Sequence, residues 1–390
     1  MTSYALYLHI PFCRARCSYC DFNTYTSIAD LKDAYTAALA GEVRQVAQLS
    51  AVAGEARPGV HTLFFGGGTP SLLSVEQIDT LLSAVRDSFA LADDAEITLE
   101  ANPGTVDEAY LAAIRNLGVS RLSFGVQSAL PDELALLGRE HDFDAAVSAV
   151  GMARRAGFDN LNIDLIYGLP GQSVADWERT LAAALPLETE HVSLYCLTIE
   201  PGTPMQRWLQ TGAIAAPDPD VAADQYEAAC RELERAGFRH YEISNWARAG
   251  RECRHNVVYW RNEPYLGLGA GAHGLAGGYR YRVVRQPRAY VRRMQSDASG
   301  PFPLSAAVAD HHRVGREEAM SDTAITQLRL LEEGLDLGGF AGRFGQSFDE
   351  VYGPALRQLE SWELLRERDG RLLLTDRGRF LSNQVFYRFV

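Results

Sequence analysis

Short runs rich in β-branched and aromatic residues alternate with longer stretches of helical periodicity, and this alternation restricts the fold more than any other feature of the chain. It is the pattern of βα units, in which each helix carries the chain back across the sheet so that successive strands lie parallel. The spacing predicts strands over 5–10, 61–65, 96–101, 121–126, 160–167 and 191–197, with a further one over 240–245. Helices are expected over 31–49, 74–89, 107–117, 142–156, 174–185 and 219–236. Six such units without a GxGxxG fingerprint favour an α/β fold built as a partial TIM-like (β/α)6 barrel over a doubly wound sheet. Beyond Ala289 the pattern changes to helices over 319–331 and 348–360 and a hairpin over 364–375 turning at Asp369-Gly370, a small winged-helix-like α+β module. Gly and Pro cluster in Ser299-Gly-Pro-Phe-Pro303, which sets an expected division into 1–300 and 301–390.

Barrel sites form at the C-terminal ends of strands, and the unusual residues sit there. The run His9-Ile-Pro-Phe-Cys-Arg-Ala-Arg-Cys-Ser-Tyr-Cys-Asp-Phe22 follows the first strand and carries Cys13, Cys17 and Cys20 as CxxxCxxC. An iron cubane normally takes four thiolates, so three on one short loop leave one iron open for chemistry. A zinc site completed by His9 is the alternative, although structural zinc loops favour two closely spaced Cys pairs. A disulfide framework is disfavoured because Cys196, Cys230 and Cys253 are scattered and the chain is long enough to build its own core. Gly66-Gly-Gly-Thr-Pro-Ser71 follows the second strand, where missing side chains let a ligand approach the backbone or simply make a tight turn. Glu100 ends the third strand and, with Arg139, is a candidate for the ammonium and carboxylate of an amino acid, or for an ordinary ion pair. Gln127 ends the fourth, and Asp164 lies in the fifth, placed for a ribose hydroxyl or for capping a turn.

The net charge of −13 argues against a nucleic-acid partner, which requires a basic face. Ten arginines nevertheless fall between Arg248 and Arg293 against only Glu252 and Glu263, a patch suited to an anion or to solvent. Lys32 is the single lysine, which all but excludes Schiff-base chemistry. No apolar run reaches the ~18 residues of a membrane span, and Met1 to Leu8 lack the basic leader and long apolar core of a secretory signal, so a cytoplasmic location is expected.

The cysteine loop, with Tyr19 before its last cysteine, resembles the radical S-adenosylmethionine (SAM) superfamily. In that superfamily the open iron of a [4Fe-4S] cluster binds the amino and carboxylate groups of SAM, and an electron from the cluster cleaves the sulfonium to a deoxyadenosyl radical. Tyr7-Leu-His-Ile-Pro-Phe-Cys13, Gly66-Gly-Gly-Thr-Pro-Ser71, Arg121-Leu-Ser-Phe-Gly-Val-Gln-Ser128, Leu137-Gly-Arg139 and Asn162-Ile-Asp-Leu-Ile-Tyr-Gly-Leu-Pro-Gly171 are similar to the oxygen-independent coproporphyrinogen oxidase group of porphyrin metabolism. That resemblance implies cluster binding by Cys13, Cys17 and Cys20, and SAM contacts from Tyr7, Tyr19, Gly67, Gly68, Thr69, Glu100, Gln127, Arg139 and Asp164. Two departures set the chain apart from the oxidase: its N-terminal arm is short, and Phe22 stands where the oxidase carries a fourth cysteine.

His255-Asn-Val-Val-Tyr-Trp260, followed by Tyr265-Leu-Gly-Leu-Gly-Ala-Gly-Ala-His273, is similar to the HNxxYW signature of the HemW-type heme chaperones. The resemblance implies heme binding near His255 and transfer to a heme-acceptor protein, whose identity and membrane association the residues leave open. Imidazole is a common axial ligand, aromatic rings cover a macrocycle, and arginines pair with propionates. His255 as a satisfied structural histidine, Cys253 as thiolate ligand or buried thiol, and His273 beside close-packed glycines are the alternatives. The expected activity is that of a heme chaperone; a decarboxylating radical enzyme and an iron-sulfur sensor without heme are the rivals. An exposed cluster loop is also compatible with a homodimer.

Overall fold

A computed structural model describes residues 3–54, 57–296 and 298–390. Met1 and Thr2, from the segment read for a leader, lie outside them, as do Glu55, Ala56 and Asp297. Six strands, β1 (Ser3–Ile10), β2 (Gly59–Gly67), β3 (Ala90–Ala101), β4 (Arg121–Gln127), β5 (Leu161–Tyr167) and β6 (His191–Cys196), pair in sequence order and parallel. Helices such as Lys32–Val52, Val75–Ser88, Phe143–Arg155 and Val174–Ala184 make the crossovers. Their starts are written locally: Ser74 with Gln77 and Ser173 with Asp176 form capping boxes, and Asp107 and Asp142 accept backbone N–H groups at two other N-termini, caps worth about 1 kcal/mol each.

Period-two alternation decides which face of each strand does what. In β4, Leu122, Phe124 and Val126 are buried in the core between sheet and helices, while Arg121, Ser123, Gly125 and Gln127 line the hollow interior. The sheet therefore keeps its apolar face outward under the helices and its polar face inward. The barrel is open. Beyond β6 the chain adds β7 (Arg239–Glu242) and β8 (Asn245–Ala247), an antiparallel pair. The single strand expected over 240–245 is thus two, because the Glu242 carboxylate accepts from the Ser244 N–H and the Asn245 amide and closes a turn between them.

On the opposite edge β9 (Tyr265–Leu268) lies parallel to β1, and β10 (His273–Ala276), β11 (Tyr279–Val283) and β12 (Val308–Arg313) continue as an antiparallel meander. The sheet has twelve strands in the order β12-β11-β10-β9-β1-β2-β3-β4-β5-β6-β8-β7. Because β12 belongs to it, the main unit runs past the Gly and Pro cluster to Arg313. A second core then begins with the helix Arg316–Gln327, built from residues such as Met320, Phe340, Phe348 and Leu359. It includes a three-stranded antiparallel sheet of β13 (Leu335–Asp336), β14 (Leu365–Arg368) and β15 (Arg371–Leu374). Paired hydrogen bonds from Arg261 to Glu333 and from Arg239 to Glu332 tie this unit to the barrel. No helix of the described residues is long and apolar enough to cross a membrane.

Candidate cofactor site

The cysteine loop is held at both ends before any ligand is considered. Cys13 N–H donates to Tyr25 O at 3.0 Å and Tyr25 N–H to Pro11 O at 2.8 Å, closing the loop on itself. In its middle, Ser18 is pinned through its N–H to Leu137 O (3.1 Å) and its hydroxyl to Leu136 O (2.7 Å). The thiols of Cys13, Cys17 and Cys20 consequently line one cavity of about 150 Å³. Thr69 donates to Cys13 Sγ at 3.6 Å and Arg139 to Cys17 Sγ at 3.3 Å. Burial raises the Cys13 and Cys20 thiols, so a metal would have to displace their protons. Among the described residues no three His, Cys, Asp or Glu side chains converge closely enough for a single metal ion.

The same cavity is lined by Tyr19, Gly67, Gly68, Thr69, Glu100, Gln127, Arg139 and Asp164, so eleven of the thirteen residues picked from the sequence share one wall. Glycine is required at two of these positions. A Cβ on Gly68 would stand 2.6 Å from Phe12 O and 3.1 Å from Cys13 Sγ, and Gly67 has φ +114° with the His9 ring 2.5 Å from where a Cβ would lie. Gly67 N–H donates to Glu100 Oε2 at 3.0 Å. Asp164 accepts from Ser123 Oγ (3.1 Å) and Asn162 Nδ2 (2.8 Å). Burial, then the charge of Asp164, pushes Glu100 up to about 7, and burial raises Asp164 as well. Two carboxyls thus stand together at the floor, facing the same cavity.

The residues fit a polar cofactor. Gln127 Oε1 and Arg139 Nε are buried without a hydrogen-bond partner, a rare state for buried polar atoms. Gln127 also holds φ at +73°, costly for a non-glycine residue. Tyr7 and His255 lie elsewhere, on an inner cavity of about 230 Å³ that shares Glu100, Ser123 and Asp164 with the first. Tyr7 donates toward His9 Nδ1 at 3.0 Å, and burial followed by the Glu100 charge raises its pKa. His255 is only 1% exposed. Its Nδ1 bonds Thr62 Oγ1 at 2.9 Å and its Nε2 bonds the Tyr259 hydroxyl at 2.8 Å, while burial depresses its pKa to about 3. Both of its ring nitrogens are thus bonded within the protein. Cys253 is buried too, donates toward Glu96 Oε1, and is pushed up to about 12 by burial, an inert thiol.

The arginine patch is smaller than its count suggests. Arg251, Arg254, Arg261, Arg280, Arg282 and Arg288 pair with Asp159, Asp94, Glu333, Asp322, Asp310 and Asp30. All these partners come from outside the 248–293 window. Ser123, Asn162 and the buried Arg121 were missed as site residues; the signal was the polar-in, apolar-out alternation of β4 and β5, visible only once faces are assigned.

The chain matches the radical SAM superfamily over residues 7–184 and the HemN C-terminal domain over 314–381. Across 386 residues it is 41% identical to the heme chaperone HemW of Mycobacterium tuberculosis strain H37Rv, covering 98% of this chain and 93% of that one. It is 36% identical to the heme chaperone HemW of Bacillus subtilis strain 168, covering 98% of each. Coproporphyrinogen III oxidase (HemN) from Escherichia coli shares the fold, with a TM-score of 0.83 at 24% identity over 100% of this chain and 90% of that chain. With nearly its whole length aligned at these identities, the chain belongs to the HemW family of the radical SAM superfamily.

Proposed function

We propose that this protein is a cytoplasmic heme chaperone: it holds a [4Fe-4S] cluster on Cys13, Cys17 and Cys20, binds SAM beside it, takes up heme and passes it to an acceptor protein. The observation that carries the cofactor half is the single cavity in which three thiols face Glu100, Asp164 and the unpartnered polar atoms of Gln127 and Arg139. When bound, the cluster supplies an iron vertex free of protein thiolate and an electron. The chain's own residues supply the rest. Arg139 is fixed by its bond to Gly125 O at 2.7 Å and offers the unbonded Nε to a carboxylate. Glu100 and Asp164 receive the cationic part of SAM, and Gly67 and Gly68 let the ligand lie against backbone.

The heme half is supported by membership of a family whose curated relatives are named heme chaperones. Phe22, 64% exposed beside the cysteines, is the departure from the oxidase group's pattern that speaks for the chaperone over the decarboxylating enzyme. Anaerobic reconstitution, hemin titration and a coproporphyrinogen decarboxylation assay test the reading together. Stoichiometric hemin uptake, release to a heme-free globin and no vinyl product are expected. Sustained vinyl product would replace the chaperone reading with the enzyme, and an intact cluster without hemin uptake would replace it with the sensor.

A further inference from the structure

A groove of about 570 Å³ opens beside the cluster cavity, bounded by the 254–260 helix, the β10–β11 hairpin and Thr326 of the C-terminal unit. That volume lies within the ~300–1,000 Å³ range of small-molecule sites. Its wall brings Tyr259, Trp260, Tyr265 and Leu275 together with His273 and Arg280. It also shares Gly67, Glu100 and Phe22 with the cluster cavity, so an occupant would lie directly beside the cofactors.

Two imidazoles line the groove, and their states differ. His9 is buried and bonded on both ring nitrogens, to the Tyr7 hydroxyl and Asn23 O at 3.0 Å each. His273 is exposed, and neither of its ring nitrogens has a hydrogen-bond partner among the described residues. In the β10–β11 ladder His273 stands opposite Arg282, and Leu275 opposite Arg280. Residues two apart share a face, so all four project from one side of the hairpin. Arg285, just past β11, is exposed and makes no ion pair among the described residues. The Arg282–Asp310 pair is 3.4 Å long and exposed on both sides, a weak hold.

These positions also give the HNxxYW segment a physical meaning. His255 and Tyr259 are one helical turn apart, and the 2.8 Å bond from His255 to the Tyr259 hydroxyl fixes that ring. Tyr259 then meets Tyr265 edge to face at 4.6 Å. Arg329 covers Trp260 at 4.2 Å. The histidine of the motif is a positioning residue for an aromatic wall.

Taking the chaperone reading as given, we propose that heme binds in this groove with His273 as axial ligand to its iron, the macrocycle against Tyr259, Trp260, Tyr265 and Leu275, and the propionates at Arg282 and Arg285. Imidazole is a usual axial ligand, planar apolar surface is what the rings offer, and guanidinium matches carboxylate geometry. Part burial together with Arg282, Arg280 and Arg285 lowers the His273 pKa, favouring the neutral ring.

The test titrates hemin into the anaerobically reconstituted full chain and follows the Soret band and the ferric heme EPR signal. The wild type should bind one hemin with an imidazole-ligated spectrum, and His255→Gln, which loosens the hold on Tyr259, should bind it more weakly while keeping that signature. His273→Ala should bind at least tenfold more weakly without that signature, and added imidazole should restore it. Hemin dimethyl ester should bind the wild type more weakly than hemin, and Arg282→Ala/Arg285→Ala should abolish that difference. Wild-type uptake with an unchanged spectrum in His273→Ala overturns the site and leaves the chaperone reading standing. Loss of the signature in a folded His255→Gln, with His273→Ala unaffected, moves the ligand to the inner cavity and also overturns it. Absence of wild-type hemin uptake removes the chaperone reading itself.

Discussion

Raising the pH from 5.5 to 7.5 should tighten SAM binding to the reconstituted protein by about 25-fold. The reason is Glu100. Burial and the neighbouring Asp164 hold its carboxyl at about 7, against one opposing hydrogen bond from Gly67 N–H at 3.0 Å. A cationic ligand needs the ionised form, so below pH 7 it must first displace a proton, at about 1.4 kcal/mol per pH unit. The ionised fraction is roughly 3% at pH 5.5 and roughly 75% at pH 7.5, and the ratio of the two is the expected gain. Equilibrium dialysis gives the affinities, and calorimetry in buffers of different ionisation enthalpy counts the protons released. Glu100→Gln should reduce the pH dependence to whatever Asp164 contributes. Equal wild-type affinity at the two pH values, or the same slope in Glu100→Gln, would refute the assignment of the cation to this floor. The same shift acts on stability with the opposite sign. The folded chain binds the Glu100 proton more tightly than the unfolded chain, so this group's contribution falls as pH rises from about 4.5 to about 7.

Replacing any one of Cys13, Cys17 or Cys20 by alanine should abolish iron and sulfide retention while leaving the circular dichroism spectrum unchanged, because the loop is pinned by backbone and Ser18 hydrogen bonds rather than by the thiols. Glu42→Ala should cost about 3 kcal/mol or more in urea unfolding: the fully buried carboxylate accepts from Ser305 Oγ (2.6 Å), Tyr290 OH (2.7 Å) and Gly269 N–H (2.8 Å), and all three donors would be stranded. Acid should weaken the fold through its buried histidines. His255 is depressed from 6.5 to about 3, so the unfolded state binds more protons across that window and stability falls as pH drops through it, by about 1.4 kcal/mol per unit per such group. His240, at about 3, and His9, at about 4, add to this slope, and His255→Gln should lessen it in melts taken at pH 7 and pH 5.

The order of the βα units, the helix starts, the arrival of the cysteines, glycines and Glu100 at strand ends and the place of Asp164 within β5 were legible in the chain because each depends on residues within a turn or two. Alternation, capping boxes and glycine runs are local devices, and a parallel barrel carries every strand end to one rim. The departures all involve distant partners. Ten arginines in one window read as a basic patch, yet Asp30, Asp94, Asp159, Asp310, Asp322 and Glu333 reach six of them from remote segments. His255 reads equally as a heme ligand or as a structural histidine until Thr62, 193 residues away, is seen to take its Nδ1. His273 reads as a turn residue until β9 pairs with β1 and turns the β10–β11 hairpin toward the barrel mouth. Local pattern decides which elements form and what chemistry they carry. Only packing across hundreds of residues decides which of those groups are already satisfied and which are left open to a ligand.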